Sequence, residues 1–511
     1  MIAYGLAWLL PLFAGGACWC LAAGMPRTRS DVASAIGGGW LVGVLLAGAF
    51  ARWCAQDATR DAFAQAAPWL FAFGVLAWLP VGWRVRRDRV RATPSTGAGR
   101  FTWRGWRFVA ASLRRRDWTC WLWWLLLGLI AWRLYGLAAE ALLRPVFPWD
   151  AWSAWMIKAK AWFLLGHAEA YVDAATWHAA SQSTVRTLGS WNYPELLAWI
   201  ELWFASAAGG WLEPLIGVVW CGVCAAFALA AYGQWRAIGV DARIAMALTY
   251  ALVSLPLLGA HVALAGYADL WIMAILGLAT VTWLRALVCR ERGSWWLALA
   301  LAACLPAIKL EGAVWLLCLG AIITFERIAP RWRVAAFIGL TVLGFVAALA
   351  GWLVLPLPEL GWVRVHGAEI SIGAIGTIRL GWHEVGGALL GGLYLLPNWH
   401  LLWYALPVLV AVRFARLRDD AVARFAGLLL LACLAFPCVL FLLTDAAAWA
   451  ADYTSANRIV LQCVAVVFAF AAVLLRECGV APATTVPGTA VTRDRGSRDT
   501  DPRSSVPSDR G

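Results

Sequence analysis

The sequence predicts an all-α fold, a polytopic bundle of transmembrane helices with loops and surface helices on its outer face. Hydrophobic residues make up 62% of the 511 residues and charged residues only 14%, too few to cover a soluble protein of this size. Apolar runs recur along the chain at roughly the 20-residue length that a helix needs to cross a bilayer. The net charge of +13 comes largely from Lys and Arg between those runs, where membrane proteins carry their topology signals.

Each apolar run is assigned as a span from its length and from the charged or turn-forming residues that end it. The runs give about 13 predicted spans, at approximately 2–23, 33–51, 67–83, 118–140, 213–233, 243–263, 267–285, 294–308, 311–326, 334–355, 399–413, 424–443 and 458–475. The first run lacks a preceding basic region, so it predicts a retained membrane helix and not a cleaved signal peptide.

The orientation of the bundle follows from its basic residues. The longest basic segment, 84–117, follows the third predicted span, and shorter basic groups follow later spans. All of them fall on one face, which we expect to be cytoplasmic. Topology accounts for this charge, so no nucleic-acid partner is expected.

One apolar segment must not cross if the basic groups are to share a face. Residues 195–208 are short, they carry Glu195 and Glu201, and two glycines follow. We therefore predict a helix lying at the outer membrane surface.

The spans and loops predict three parts of the chain. Residues 1–117 form amino-terminal helices and a basic cytoplasmic loop. Residues 118–475 form a transmembrane core with long outer loops at 144–210 and 356–398. Residues 476–511 have almost no large apolar side chains, which predicts a disordered cytoplasmic tail.

The first long outer loop opens with a carboxylate among tryptophans, in the segment 147–160 (FPWDAWSAWMIKAK). A helix starting near Asp150 would place Asp150 and Lys158 on one face. Two roles are open for Asp150. The first is a helix-capping carboxylate beside interfacial tryptophans. The second is a general base at the membrane surface with a cation two turns away.

Other charged residues interrupt apolar runs on the same predicted face. Asp269 lies at the outer start of a span, where a carboxylate is costly and usually marks function; a simple helix cap is the alternative. Lys309 and Glu311 lie in an outer turn, where they could pair with each other or Lys309 could bind a phosphate. Arg458 begins the last span on the face opposite to the topology arginines. That position predicts a specific partner, which is an acidic residue, a lipid head group or a phosphate.

These elements together resemble the GT-C superfamily of integral-membrane glycosyltransferases, which includes the protein O-mannosyltransferases and the lipid A aminoarabinose transferases. The resemblance covers roughly 118–475 and rests on the order of the elements. These are an acid in the first large outer loop (Asp150), a Tyr-Pro element entering a helix (Tyr193), an Asp at a later span (Asp269), a Lys-x-Glu-Gly turn (309–312) and an Arg opening a late span (Arg458).

The resemblance implies transfer of a sugar from a polyprenyl-phosphate carrier to a lipid, glycan or protein acceptor. It places the reaction at the periplasmic or extracellular face of a bacterial-type inner membrane. In the family the first-loop acid is the proposed catalytic base, and Asp150 occupies that place. The candidate substrate-binding residues are Lys158, Tyr193, Glu195, Asp269, Lys309, Glu311 and Arg458. Among them Lys158, Lys309 and Arg458 are the candidate cations for the departing phosphate.

The chain departs from the family pattern in two places. The family's Pro-Pro-Leu element matches Tyr193-Pro194-Glu195-Leu196 only in part. Many members also carry two adjacent acids in the first loop, whereas Trp149 and Ala151 flank Asp150. A divalent metal remains open as a cofactor, but a metal site needs more than one carboxylate.

Two other functions compete with this one. A transporter or flippase of lipid-linked glycans would need charged residues in the middle of several spans, or discontinuous helices, and Arg133 is the main candidate. A non-enzymatic scaffold is less favoured, because charged residues cluster on the predicted outer face.

The orientation can be tested with reporter fusions. A reporter fused at residue 100 is expected to report the cytoplasm, and one inserted near residue 180 is expected to report the periplasm, because the basic segment 84–117 stays inside. The opposite pair of results would overturn the predicted orientation.

Overall fold

The computed structural model describes residues 1–91, 118–180, 184–351, 353–357, 361–373 and 376–477. Most of the predicted basic loop 84–117 and nearly all of the predicted disordered tail 476–511 lie outside these residues.

Helices dominate the described part of the chain, as the sequence predicts. In chain order they are α1 Ile2–Ala23, α2 Arg29–Cys54, α3 Ala62–Arg91, α4 Trp118–Leu143, α5 Trp149–Ser153, α6 Met156–Leu165, α7 Ala174–Ala179, α8 Leu196–Ala208, α9 Glu213–Ala237, α10 Ala242–Val253, α11 Pro256–Ala263, α12 Asp269–Cys289, α13 Arg292–Ile308, α14 Glu311–Arg327, α15 Pro330–Leu349, α16 Gly386–Tyr394, α17 Leu402–Val412, α18 Phe414–Asp419, α19 Ala421–Leu443, α20 Ala447–Ala451 and α21 Ala456–Leu475.

Nine helices of the described residues are long and apolar enough to cross a membrane, namely α1, α2, α3, α4, α9, α12, α15, α19 and α21. The pair α10 and α11 would add a tenth as one broken span, bent by 61° at the break. Three other predicted spans correspond to shorter helices: α13 and α14 have 17 residues each and α17 has 11. The predicted number of 13 spans is therefore not confirmed.

The chain is not purely helical. The predicted loop 356–398 coincides largely with an antiparallel sheet, in which each strand pairs with the next: β3 Leu353–Leu357, β4 Gly361–His366, β5 Glu369–Ile372 and β6 Gly376–Arg379. In β4 the side chains of Val363 and Val365 are partly buried and their neighbours are exposed, the two-residue alternation of a strand with one covered face. A short parallel pair, β1 Ala170–Tyr171 with β2 Val185–Arg186, lies in the loop 144–210.

The helices α12 and α21 form the centre of the bundle and pack against each other. Both are largely apolar and almost entirely buried, as expected for helices surrounded by others. Asp269 is the first residue of α12, and Arg458 lies in the first turn of α21. Because these two helix starts meet, the charged residues converge at one end of the bundle.

The helix α8 is not a surface helix, contrary to the sequence prediction. Residues 196–205 and Ala207 are buried, and the helix packs against α1, α2, α3 and α6. Its 13 residues span about 20 Å, less than a bilayer core. The helix is shorter than those long enough to cross a membrane, and an apolar sequence without a polar face favours burial inside the protein over the membrane surface.

The burial of α8 takes Glu201 into the interior. The side chain is 1% exposed, and neither carboxylate oxygen has a hydrogen-bond partner among the described residues. Burial raises the pKa of Glu201 well above its ordinary value of 4.5.

Replacing this carboxyl with an apolar group is expected to stabilise the protein. We expect Glu201→Leu to raise the free energy of unfolding by about 1–3 kcal/mol, because it removes a buried polar group without a partner. The raised pKa means that unfolding releases a proton, so the wild-type protein loses stability as the pH rises above 4.5 towards the raised pKa. Glu201→Leu should flatten that dependence in thermal denaturation at several pH values.

The matched control is Glu326→Leu, which removes a carboxylate bonded to Arg333. It is not expected to stabilise. A Glu201→Leu protein less stable than wild type across the pH range would show that the carboxyl has a stabilising role.

Candidate functional site

Asp269 is the centre of a buried ion cluster, and its side chain is 0% exposed. Its Oδ1 accepts hydrogen bonds from Lys309 Nζ at 2.7 Å and from Gln462 Nε2 at 2.6 Å. Its Oδ2 accepts from Arg458 Nε at 3.0 Å and from Arg458 Nη2 at 2.8 Å. Donors on both oxygens, two of the groups being cations, offset the penalty of burying a carboxylate.

Arg458 connects Asp269 to Asp150. Its Nη2 also donates to Asp150 Oδ2 at 2.5 Å. The guanidinium carbon lies 4.7 Å from the ring centroid of Tyr267, a cation–π distance. The acidic partner that the sequence predicts as one option for Arg458 is confirmed, and there are two of them.

Lys309 is held between two carboxylates. Besides its bond to Asp269, its Nζ lies 3.0 Å from Glu311 Oε1, so the pairing considered from the sequence is present. Burial alone would lower the pKa of Lys309, but the two carboxylates outweigh burial and raise it. Lys309 is therefore a permanent cation that fixes Asp269 in place.

Three further residues belong to the cluster that the sequence did not identify as site residues. Trp315 Nε1 donates to Gln462 Oε1 at 2.7 Å, which leaves the amide NH₂ of Gln462 to donate to Asp269. His261 Nε2 lies 3.9 Å from Asp269 Oδ2. The signal for Gln462 was its position one helical turn after Arg458 in an otherwise apolar run.

Two backbone features bring Asp150 to this cluster. The helix α5 ends at Ser153 and α6 begins at Met156, so Asp150 and Lys158 are not on one helical face and that prediction is wrong. The chain before α12 turns at Gly266, whose φ is +88°. A Cβ there would lie 2.5 Å from the Cβ of Ala151, so only glycine lets this turn pack against α5.

Lys158 does not contribute to the cluster in the way the sequence predicts. Its Nζ donates to the backbone oxygens of Trp191 and Tyr193, at 2.8 and 2.7 Å, and it lies 5.3 Å from the ring centroid of Tyr171. The residue is 1% exposed. Its charge therefore stabilises the loop 144–210, which makes it a poor candidate for binding a departing phosphate.

Tyr193 and Glu195 lie beside the cluster. They line a cavity of about 180 Å³ together with Arg52 and the polar end of the loop. Tyr193 stacks on Trp155 at a centroid distance of 4.8 Å. Burial raises the pKa of Tyr193, and the Glu311 carboxylate adds to the effect, which places the phenol within the electrostatic reach of the cluster. Glu195 instead lies near Arg52, 3.7 Å from its Nη2.

The residues present do not fit a divalent metal. Among the described residues no group of three or more His, Cys, Asp or Glu side chains could hold one. Both oxygens of Asp269 already accept from Lys309, Gln462 and Arg458, and the two cations among these donors, Lys309 and Arg458, would repel a metal ion. The chemistry of the cluster therefore rests on its side chains.

Removing the Asp269 carboxylate is expected to destabilise the protein. Asp269→Asn leaves Lys309 and Arg458 short of their shared anion, so we expect a loss of about 3–5 kcal/mol of stability. Asp150→Asn is expected to be mild, because the Asp150 side chain is 25% exposed and Arg458 keeps Asp269 as a partner. Thermal denaturation of both variants in one detergent is the measurement. Equal stability of the two would contradict the central role of Asp269.

Comparisons of the chain with protein-family models, with curated proteins and with solved structures give no match.

Proposed function

We propose that this protein is a membrane glycosyltransferase that moves a sugar from a polyprenyl-phosphate carrier to an acceptor, with Asp150 as the general base. The observation that carries the proposal is the convergence of Asp150, Asp269, Lys309 and Arg458, which come from four segments far apart in sequence. A cluster of paired charges at helix starts of a membrane bundle is costly to build and is typical of a functional site.

Accessibility assigns different roles to the two aspartates. Asp269 is fully enclosed, whereas the Asp150 side chain is a quarter exposed, so of the two aspartates only Asp150 is accessible to a substrate hydroxyl. Asp269 then positions Arg458 and Lys309. Asp150 accepts the proton of the acceptor hydroxyl, and the oxygen attacks the anomeric carbon. The bond from that carbon to the phosphate oxygen breaks, and the electron pair leaves with the polyprenyl phosphate.

Arg458 is the cation best placed to receive the phosphate. Its side chain is 21% exposed, whereas that of Lys309 is 6% exposed and bonded to two carboxylates. Three carboxylates face two cations in the free cluster, so a phosphate must compete with a carboxylate for Arg458. Asp150 is the partner held by a single bond. Arrival of the donor phosphate then releases Asp150 for the acceptor proton, and the donor binds before the acceptor reacts.

The alternative, a transporter or flippase of lipid-linked glycans, is supported by one observation. The pair α10 and α11 is bent by 61° where a span would be continuous, and broken helices are common in transporters. The two proposals differ in whether a covalent bond breaks, so an assay of bond cleavage separates them.

The test is donor cleavage in membranes that contain the full-length protein. A panel of undecaprenyl-phosphate-linked radiolabelled sugars is supplied, and both product formation and release of undecaprenyl phosphate are measured. At least one donor is expected to be cleaved, and Asp150→Asn is expected to reduce the rate about 10²-fold or more, because it lacks the general base.

The matched control is Asp173→Asn, an exposed carboxylate in the same loop that caps the short helix α7. It should keep the wild-type rate. Full activity in Asp150→Asn would rule out the base assignment. Movement of an intact donor across the membrane without cleavage would support the transporter instead.

A further inference from the structure

Arg133 is a cation inside a predicted span, and no hydrogen-bond or ion-pair partner for it is found among the described residues. It lies ten residues before the end of α4, about 15 Å along the helix. Among the described residues its guanidinium has no ion pair or hydrogen bond, and its Nε is buried. An arginine at membrane depth is costly and is normally paired or functional. A ligand is therefore a candidate partner for this guanidinium.

Arg133 faces an apolar groove of about 630 Å³ on the side of the bundle. Exposed side chains such as Trp132 lie at its edge. A second apolar groove of about 500 Å³ shares Tyr250, Ser254 and His400 with the first. The two grooves adjoin, and together they give an apolar surface on which hydrocarbon chains can lie.

The broken span forms the wall behind Arg133. Ser254 lies at the break between α10 and α11, and its carbonyl oxygen is 2.9 Å from His400 Nε2. On α11, a Cβ at Gly259 would lie 2.0 Å from Arg133 Nη2, so the absence of a side chain lets the guanidinium rest on this helix. His261, which faces Asp269, lies two residues on, about 200° around α11. The groove and the ion cluster are thus on opposite sides of α11.

The charge at the groove is positive. Glu140 also lines it, but Glu140 Oε1 is paired with Arg144 Nη1 at 2.8 Å on the same helix. Within the described parts of the chain, no carboxylate therefore balances Arg133. A guanidinium fork binds phosphate with two parallel hydrogen bonds, and the apolar walls favour a ligand with hydrocarbon chains.

We propose that this groove binds a membrane lipid through a phosphate head group on Arg133, at a site separate from the Asp269 cluster. The proposal does not depend on glycosyl transfer. It accounts for the unpaired arginine, the glycine beneath it and the apolar walls with one ligand.

The test uses purified full-length protein in detergent with two added lipids, dioleoyl phosphatidic acid and dioleoylglycerol, which differ only in the phosphate. Thermal denaturation and native mass spectrometry measure binding. Phosphatidic acid is expected to raise the denaturation temperature and to be retained, whereas dioleoylglycerol is not. Arg133→Met is expected to weaken phosphatidic acid binding about ten-fold or more, because the charge-assisted bonds are lost.

Two further variants make the outcome decisive. Gly259→Ala keeps the charge but displaces the guanidinium, so it should also weaken binding even if Arg133→Met fails to fold. Arg379→Met removes an exposed arginine of the β3–β6 sheet and should bind like wild type. Equal stabilisation by both lipids, or unchanged phosphatidic acid binding in the folded Arg133 and Gly259 variants, would overturn the proposal.

Discussion

The buried carboxylate of Asp269 is the interaction on which the described end of the bundle depends. One side chain holds Lys309, Arg458 and Gln462, and these residues come from a turn and a helix far from it in sequence. A buried charge is tolerated only when its hydrogen bonds are satisfied, so the positions of α12, α14 and α21 are tied to the geometry of this one group. The two most buried helices of the core begin at the cluster, which couples apolar packing to ion pairing.

The same constraint positions the accessible aspartate of the site. Arg458 spans from the enclosed Asp269 to the partly exposed Asp150, so the buried carboxylate fixes the arginine and the arginine fixes the exposed carboxylate. Arg133 differs from Arg458 in its surroundings. Arg458 is paired with two protein carboxylates, whereas Arg133 has no carboxylate partner among the described residues and faces apolar grooves.

Sequence reasoning identified the main members of the cluster because each is a charge that interrupts an apolar run. It failed where the outcome depends on packing between distant segments. Lys158 has the same local signal as Lys309, yet its ammonium donates to the loop carbonyls of Trp191 and Tyr193. Gln462 and Trp315 carry no charge, so only their meeting in space shows their role. The α8 helix, predicted to lie at the membrane surface, is buried against α1, α2, α3 and α6 and further helices.

The sequence by itself determined that the protein is a membrane-type helical bundle, where its apolar helices lie, and which few charged residues are informative. Those properties are local, because hydropathy and helical length are set by consecutive residues. The tertiary structure decided which charges pair, that α5 and α6 are separate helices, that Glu201 is enclosed and that loop 356–398 carries a sheet. Each of these depends on contacts between segments distant in sequence, whose free energies cannot be read from the composition of either segment alone.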